Sequence, residues 1–185
     1  LLTMNDVKEQ DILKFIRKNQ YYHIIGSIVK GLPSNIGHHQ LYLFPEFQLS
    51  NQYRVDYLLI GKNSGGYEFI FVEFEHPKNN ITIKDGELGK AFRDGKAQLD
   101  DWRRWLESNY QAFSQSLQKE TNADLYLPEE FYRYDSSRFL YVVVGGRRED
   151  FKDKTYRIKR ESNEVIMHYD NLYDYAEQIV GQATY

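Results

Sequence analysis

The sequence has no cysteine, which excludes a disulfide framework, thiol catalysis and thiolate metal sites. Its longest apolar run, over 139–144, is far too short to cross a bilayer. No early stretch has the charged-then-apolar form of a signal peptide, so the chain is expected to be soluble and cytoplasmic, with no membrane partner. Net charge is only −3, which supplies no global attraction to nucleic acid. Gly145-Gly146-Arg147 lacks the spacing of a phosphate-binding loop, and neither a Gly-x-Ser-x-Gly elbow nor a dinucleotide fingerprint is present. His38 and His39 are adjacent rather than i, i+4, which suits a loop better than a metal site. No repeat, low-complexity tract or interdomain linker interrupts the chain.

What is present is an ordinary globular composition. At 185 residues, 41% hydrophobic and 28% charged, residues 1–185 are expected to form one domain. A chain of this length buries roughly 70% of its unfolded surface and needs no metal or disulfide to fold. Charge is unevenly placed: residues 147–160 hold seven Lys/Arg against three Asp/Glu. Such a run is either the solvated face of a helix or a phosphate-contacting surface. The 16 tyrosines suit a nucleic-acid or protein interface and equally a packed α/β core.

Local patterning predicts alternating elements. Asn5 or Asp6 can cap a first helix to about Tyr21, with Val7, Ile12, Phe15 and Ile16 on one stripe. Polar punctuation over 31–37 predicts a loop, and Leu41-Tyr42-Leu43-Phe44, broken by Pro45, an edge strand. Residues 53–60 and 67–75 are β-rich and are expected to pair as an antiparallel hairpin across a six-residue loop, 61–66. The second run is apolar on both faces, the mark of a central strand. A connection over 77–89 leads to a long helix at 95–119, whose Leu99, Trp102, Trp105, Leu106, Tyr110, Phe113 and Leu117 follow one buried stripe. A loop (122–135), a buried strand (138–144), a basic helix (149–160), a short strand (165–169) and a last helix (172–180) complete the chain. The fold class that follows is α/β, a mixed sheet flanked by helices.

One constellation carries chemistry. Glu73 and Glu75, two apart on a strand, face the same side. Folding the hairpin about its loop brings Asp56 opposite Phe71 to Glu73, within about two residues of register. Two carboxylates ~5 Å apart at an effective dielectric of ~20 repel by roughly 3 kcal/mol. The site must hold a proton, recruit a Lys or Arg, or bind a cation. Oxygen-only ligands would select Mg²⁺, Mn²⁺ or Ca²⁺, held by Asp56, Glu73 and the Phe74 carbonyl. Magnesium so held serves phosphoryl transfer or phosphodiester hydrolysis. The plainer alternative is a solvated strand end with Asp56 paired to Arg54 or a nearby lysine.

Three stretches, Arg54-Val55-Asp56-Tyr57-Leu58-Leu59, Phe71-Val72-Glu73-Phe74-Glu75-His76-Pro77 and Ala97-Gln98-Leu99-Asp100-Asp101-Trp102, resemble the core of the PD-(D/E)xK nucleases. Within that superfamily they are most similar to the C-terminal nuclease domain of Shedu anti-phage defence proteins. The likeness runs from about Glu9 to Tyr173. It takes in Glu9-x(3)-Leu13-x-Phe15-Ile16-x-x-Asn19, then Val142-Val143-Val144-Gly145-Gly146-Arg147 and His168-Tyr169-Asp170-Asn171-Leu172. The resemblance implies a restriction-endonuclease-like fold and a Mg²⁺- or Mn²⁺-dependent endonuclease or nickase acting on DNA in bacterial defence. It makes Asp56 and Glu73 metal ligands, Gln98 the glutamine that orients the site, and Glu9 the acidic residue of the first helix. It also implies a homo-oligomer, since cutting two strands needs two sites, and leaves room for further domains of a longer chain.

Glu75 departs from the pattern, which usually has lysine there. In some restriction enzymes of the superfamily a glutamate at this position acts as general base or second-metal ligand. Lys96 or Lys78 would then supply the displaced positive charge, unless each is an ordinary exposed lysine. Gln98 reads otherwise as an exposed helix amide. His76 is either a strand-end residue or a group for proton transfer or phosphate contact. Arg147 and Arg148 are candidate phosphate contacts at a strand end. The missing lysine also fits a different function, a catalytically inactive module of the same fold that senses nucleic-acid ends or a partner protein.

Overall fold

A computed structural model describes residues 2, 6–34, 36, 41–121 and 127–182. Its strands are β1 (Leu41–Gln48), β2 (Arg54–Asn63), β3 (Gly66–Phe74), β4 (Phe139–Val144) and β5 (Val165–Met167). They form one sheet in the order β1-β2-β3-β4-β5, antiparallel from β1 to β3 and parallel from β3 to β5. Helices α1 (Glu9–Lys18) and α2 (Tyr22–Gly26) precede the sheet, α3 (Lys90–Glu120) and α4 (Asp153–Glu161) link its parallel strands, and α5 (Tyr169–Gln182) follows. This is the mixed sheet flanked by helices that the patterning predicts.

The period-2 alternation of β2 and β3 feeds two cores. Leu58, Ile60, Phe69 and Phe71 pack with Leu99, Trp102, Leu106 and Phe113 of α3. Tyr57, Leu59, Ile70, Val72 and Phe74 pack with Ile12, Leu13 and Ile16 of α1 and Leu172 of α5. A strand covered on both sides has no polar face, which is why 67–74 reads as nearly continuous hydrophobe.

Several boundaries differ from expectation. The hairpin loop is shorter than six residues: Gly61, Lys62 and Asn63 stay in the ladder opposite Glu68, Tyr67 and Gly66. Only Ser64 and Gly65 turn, with Asn63 Oδ1 accepting from the Gly65 N–H at 2.8 Å and Gly66 at φ +118°, where a side chain is strained. Pro45 does not end β1, because an edge strand needs no donor on its outer side. The first helix starts at Glu9, where Asp11 Oδ2 accepts from the Lys8 N–H at 3.0 Å, and stops at Lys18. The separate helix α2 and a 3₁₀ turn (Ser27–Gly31) follow it. The long helix begins earlier, at Lys90, and bends at Asn109 (φ −132°, ψ 25°). The basic helix is confined to 153–161, and α5 starts at Tyr169 instead of 172. Asn5 and the His38-His39 pair lie outside the described residues. Among the described residues no helix is long and apolar enough to cross a membrane.

Candidate active site

Backbone pairing of β2 with β3 stops at Tyr57↔Val72. One step further the register sets Asp56 opposite Glu73, and there a side chain replaces the ladder: the Phe74 N–H donates to Asp56 Oδ2 at 2.8 Å. Alternation sends Glu73 and Glu75 to the face that α3 covers. The helix comes close because Gly95 lacks a side chain. A Cβ there would lie 2.7 Å from Val143 Cγ2 and 3.0 Å from Glu75 Cγ. Gly145 borders Glu75 from the other side, with 3.1 Å from such a Cβ to the Glu75 Cβ. Glu9 reaches the same strand ends from the first turn of α1, within electrostatic range of Asp56, Glu73 and Glu75.

These four carboxylates share a region with little compensating charge. Glu73 is 8% exposed, and its Oε2 has no hydrogen-bond partner. Burial pushes the Glu73 carboxyl well above the usual carboxylate range, and Asp56, Glu75 and Glu9 push it further. Burial lifts Asp56 to about 6, against the opposing pull of the Phe74 N–H and Arg54. Glu75 is lifted to about 7 by burial, then by Glu9, Asp94 and Asp56. Glu9 is raised by burial and by Asp56. Among the described residues no Lys or Arg forms an ion pair with Asp56, Glu73 or Glu75. Arg17 and Arg54 engage Glu46 instead, and Lys90 engages Asp94.

Among the described residues no three His, Asp or Glu side chains form a preset metal cage. The donor chemistry nevertheless suits a hard divalent cation. Every ligand is oxygen, the like charges raise one another, and a buried carboxylate oxygen stands without a partner. Asp56 and Glu73 are the residues able to hold such an ion, with Glu75 and Glu9 around them.

The other predicted residues fare differently. Gln98 lies one turn beyond Gly95 on α3, half-buried, on the helix side that meets Glu75. His76 faces a turn: its Nδ1 accepts from the Lys78 and Asn79 N–H groups, both at 3.0 Å. Lys96 does not supply the displaced charge, because its ammonium bonds Glu164 at 3.0 Å and Ser162 at 2.8 Å. Arg147 is not an open phosphate contact either. Its guanidinium holds both oxygens of Asp170, at 3.0 and 2.6 Å, and the Leu2 carbonyl at 3.2 Å. Arg148 is paired with Asp174. In each case a nearby carboxylate already satisfies the cation.

Two residues at the site escape the sequence reading. Gly95 was hidden because the patterning starts the long helix there; only with the helix starting at Lys90 does it become an interior glycine. Tyr169 was hidden too: its hydroxyl donates to the Glu75 carbonyl at 2.8 Å across 94 residues of chain, and nothing local signals that contact.

The family whose model matches the chain is described as Shedu protein SduA, C-terminal, and the match covers residues 6–173. No curated protein matches the chain. The matched span contains every member of the carboxylate cluster together with Gly95, Gln98 and Tyr169. The chain therefore belongs to the Shedu SduA C-terminal family, a membership that suggests a role in anti-phage defence.

Proposed function

We propose that this domain is a metal-dependent DNA endonuclease or nickase of the PD-(D/E)xK type, hydrolysing phosphodiester bonds in anti-phage defence. The observation that carries the reading is the cluster of mutually repelling carboxylates where β2 and β3 part. Asp56 and Glu73 would hold Mg²⁺ or Mn²⁺. The Phe74 carbonyl would join them, because the N–H and C=O of a strand residue point the same way and this N–H points at Asp56. When bound, the ion supplies Lewis acidity toward a phosphate oxygen and lowers the pKa of a water. Asp56 is held in place by the Phe74 amide, and Glu73 by its burial. Glu75, half-exposed beside them, takes the proton of the attacking water in place of the usual lysine. Glu9 adds negative charge that makes the site more dependent on the cation, and the Gln98 amide orients the site.

The test is nicking or linearisation of supercoiled plasmid with Mg²⁺ or Mn²⁺. Folded Asp56→Asn and Glu73→Gln proteins should cut at least about 100-fold more slowly than the parent. Equal rates would end the assignment. A second reading, the inactive sensing module, draws on Glu75 at the lysine position and on the absence of a preset cage among the described residues. A parent protein that binds DNA in a salt-dependent way yet cuts with neither ion would establish it.

A further inference from the structure

Both backbone groups of Glu75 are tied. Its N–H donates to the Val144 carbonyl at 2.7 Å, and its carbonyl accepts from the Tyr169 hydroxyl at 2.8 Å. The Tyr169 N–H in turn donates to the Gly146 carbonyl at 3.0 Å, and the Gly146 N–H to the His76 carbonyl at 3.1 Å. The ends of β3 and β4 and the start of α5 are thereby knotted around one peptide. Tyr169 is 2% exposed, and its ring centroid lies 5.8 Å from that of Phe74, so its position is fixed by the core.

We propose that Tyr169 is a positioning residue: its hydroxyl fixes the Glu75–His76 peptide and so the direction in which the Glu75 carboxylate enters the site. This rests on the nuclease reading above. The phenol is buried and its hydroxyl donates to the Glu75 carbonyl at 2.8 Å. Gly95 and Gly145 leave Glu75 the space that a side chain at either position would take, and with both of its backbone groups bonded its approach starts from a fixed main chain. Groups misplaced by about 1 Å can lose catalysis by about 100-fold; with its N–H still bonded to the Val144 carbonyl, a peptide freed at its carbonyl alone shifts the carboxylate by less than that. Tyr169→Phe would keep the ring packing and leave the Glu75 carbonyl without its donor.

The experiment compares Tyr169→Phe, Glu75→Gln and the double variant in plasmid nicking with Mg²⁺, and follows amide hydrogen exchange of the metal-free proteins. Tyr169→Phe should lower kcat roughly tenfold with KM for DNA unchanged. Because the hydroxyl acts through Glu75, the same change should cost little in the Glu75→Gln background. The Glu75 and Gly146 amides should exchange roughly tenfold faster in Tyr169→Phe, while amides at the centre of the sheet stay protected. An equal loss of kcat in both backgrounds would overturn the proposal, as would a parental kcat with only a lowered melting temperature. A parent that nicks nothing would defeat the nuclease reading alone. Unchanged exchange at Glu75 and Gly146 would still defeat the clamp.

Discussion

Each carboxyl of the cluster must lose its proton among other acids, and that fixes a pH dependence. Asp56 is raised to about 6 and Glu75 to about 7, whereas in the unfolded chain both release their protons near pH 4. Stabilisation from these groups is therefore complete below about pH 4 and is lost as pH rises through about 6 to 7. His168 runs the other way. Burial lowers it to about 4, so it destabilises the fold only as pH falls below about 6.5. Above that point the cluster sets the slope. In EDTA, urea unfolding should show stability falling by about 1 kcal/mol between about pH 6.5 and 8, a figure discounted for solvent around half-exposed Glu75. Glu73→Gln should flatten the fall, and so should millimolar Mg²⁺ if the ion binds there as proposed. Stability that stays level or rises in EDTA over this range would contradict the electrostatics of the site.

Between elements, the decisive contact is α3 against the ends of β3 and β4. Alanine at an interior helix position normally gains about 1 kcal/mol over glycine. At Gly95 the added methyl would meet Val143 Cγ2 at 2.7 Å and Glu75 at 3.0 Å. Gly95→Ala should therefore cost about 1–3 kcal/mol in chemical denaturation and should also reduce metal-dependent nicking; a stabilised variant would refute the close approach. The same contact shows what the sequence could reveal. The hairpin, the central strand and the shared face of Glu73 and Glu75 were legible, because period-2 alternation is a local property. The turn length was not, because Gly61-Lys62-Asn63 has turn composition but is drawn into the ladder by pairing with β3. Asp56 could be set opposite Glu73 only within a margin, and its bond to the Phe74 amide depends on where that ladder stops. Lys96, Arg147 and Tyr169 were opaque for one reason: their partners, Glu164, Asp170 and Glu75, are distant in sequence.

For the molecule as a whole, the Arg147–Asp170 pair works as a clasp. It joins the turn after β4 to the first turn of α5 and to the Leu2 carbonyl. Arg147→Ala would leave the Asp170 carboxylate, which burial raises and which Arg147 and the Arg148 N–H together hold down at about 2, with only the Arg148 N–H of those two. We expect a loss of about 2–4 kcal/mol in equilibrium unfolding. The salt dependence of DNA binding by the folded variant, read by fluorescence anisotropy, should match the parent. A slope reduced by about one would instead make Arg147 a phosphate contact. The borders of the sheet bear on assembly in another way. At one margin β1 carries Pro45, and at the other β5 has only three residues. Among the described residues, Pro45 interrupts the donors along β1 and β5 is too short to present a row of them. If the proposed nuclease pairs to sever both strands of a duplex, its copies would meet through helical or loop surfaces, each keeping its own five-stranded layer intact.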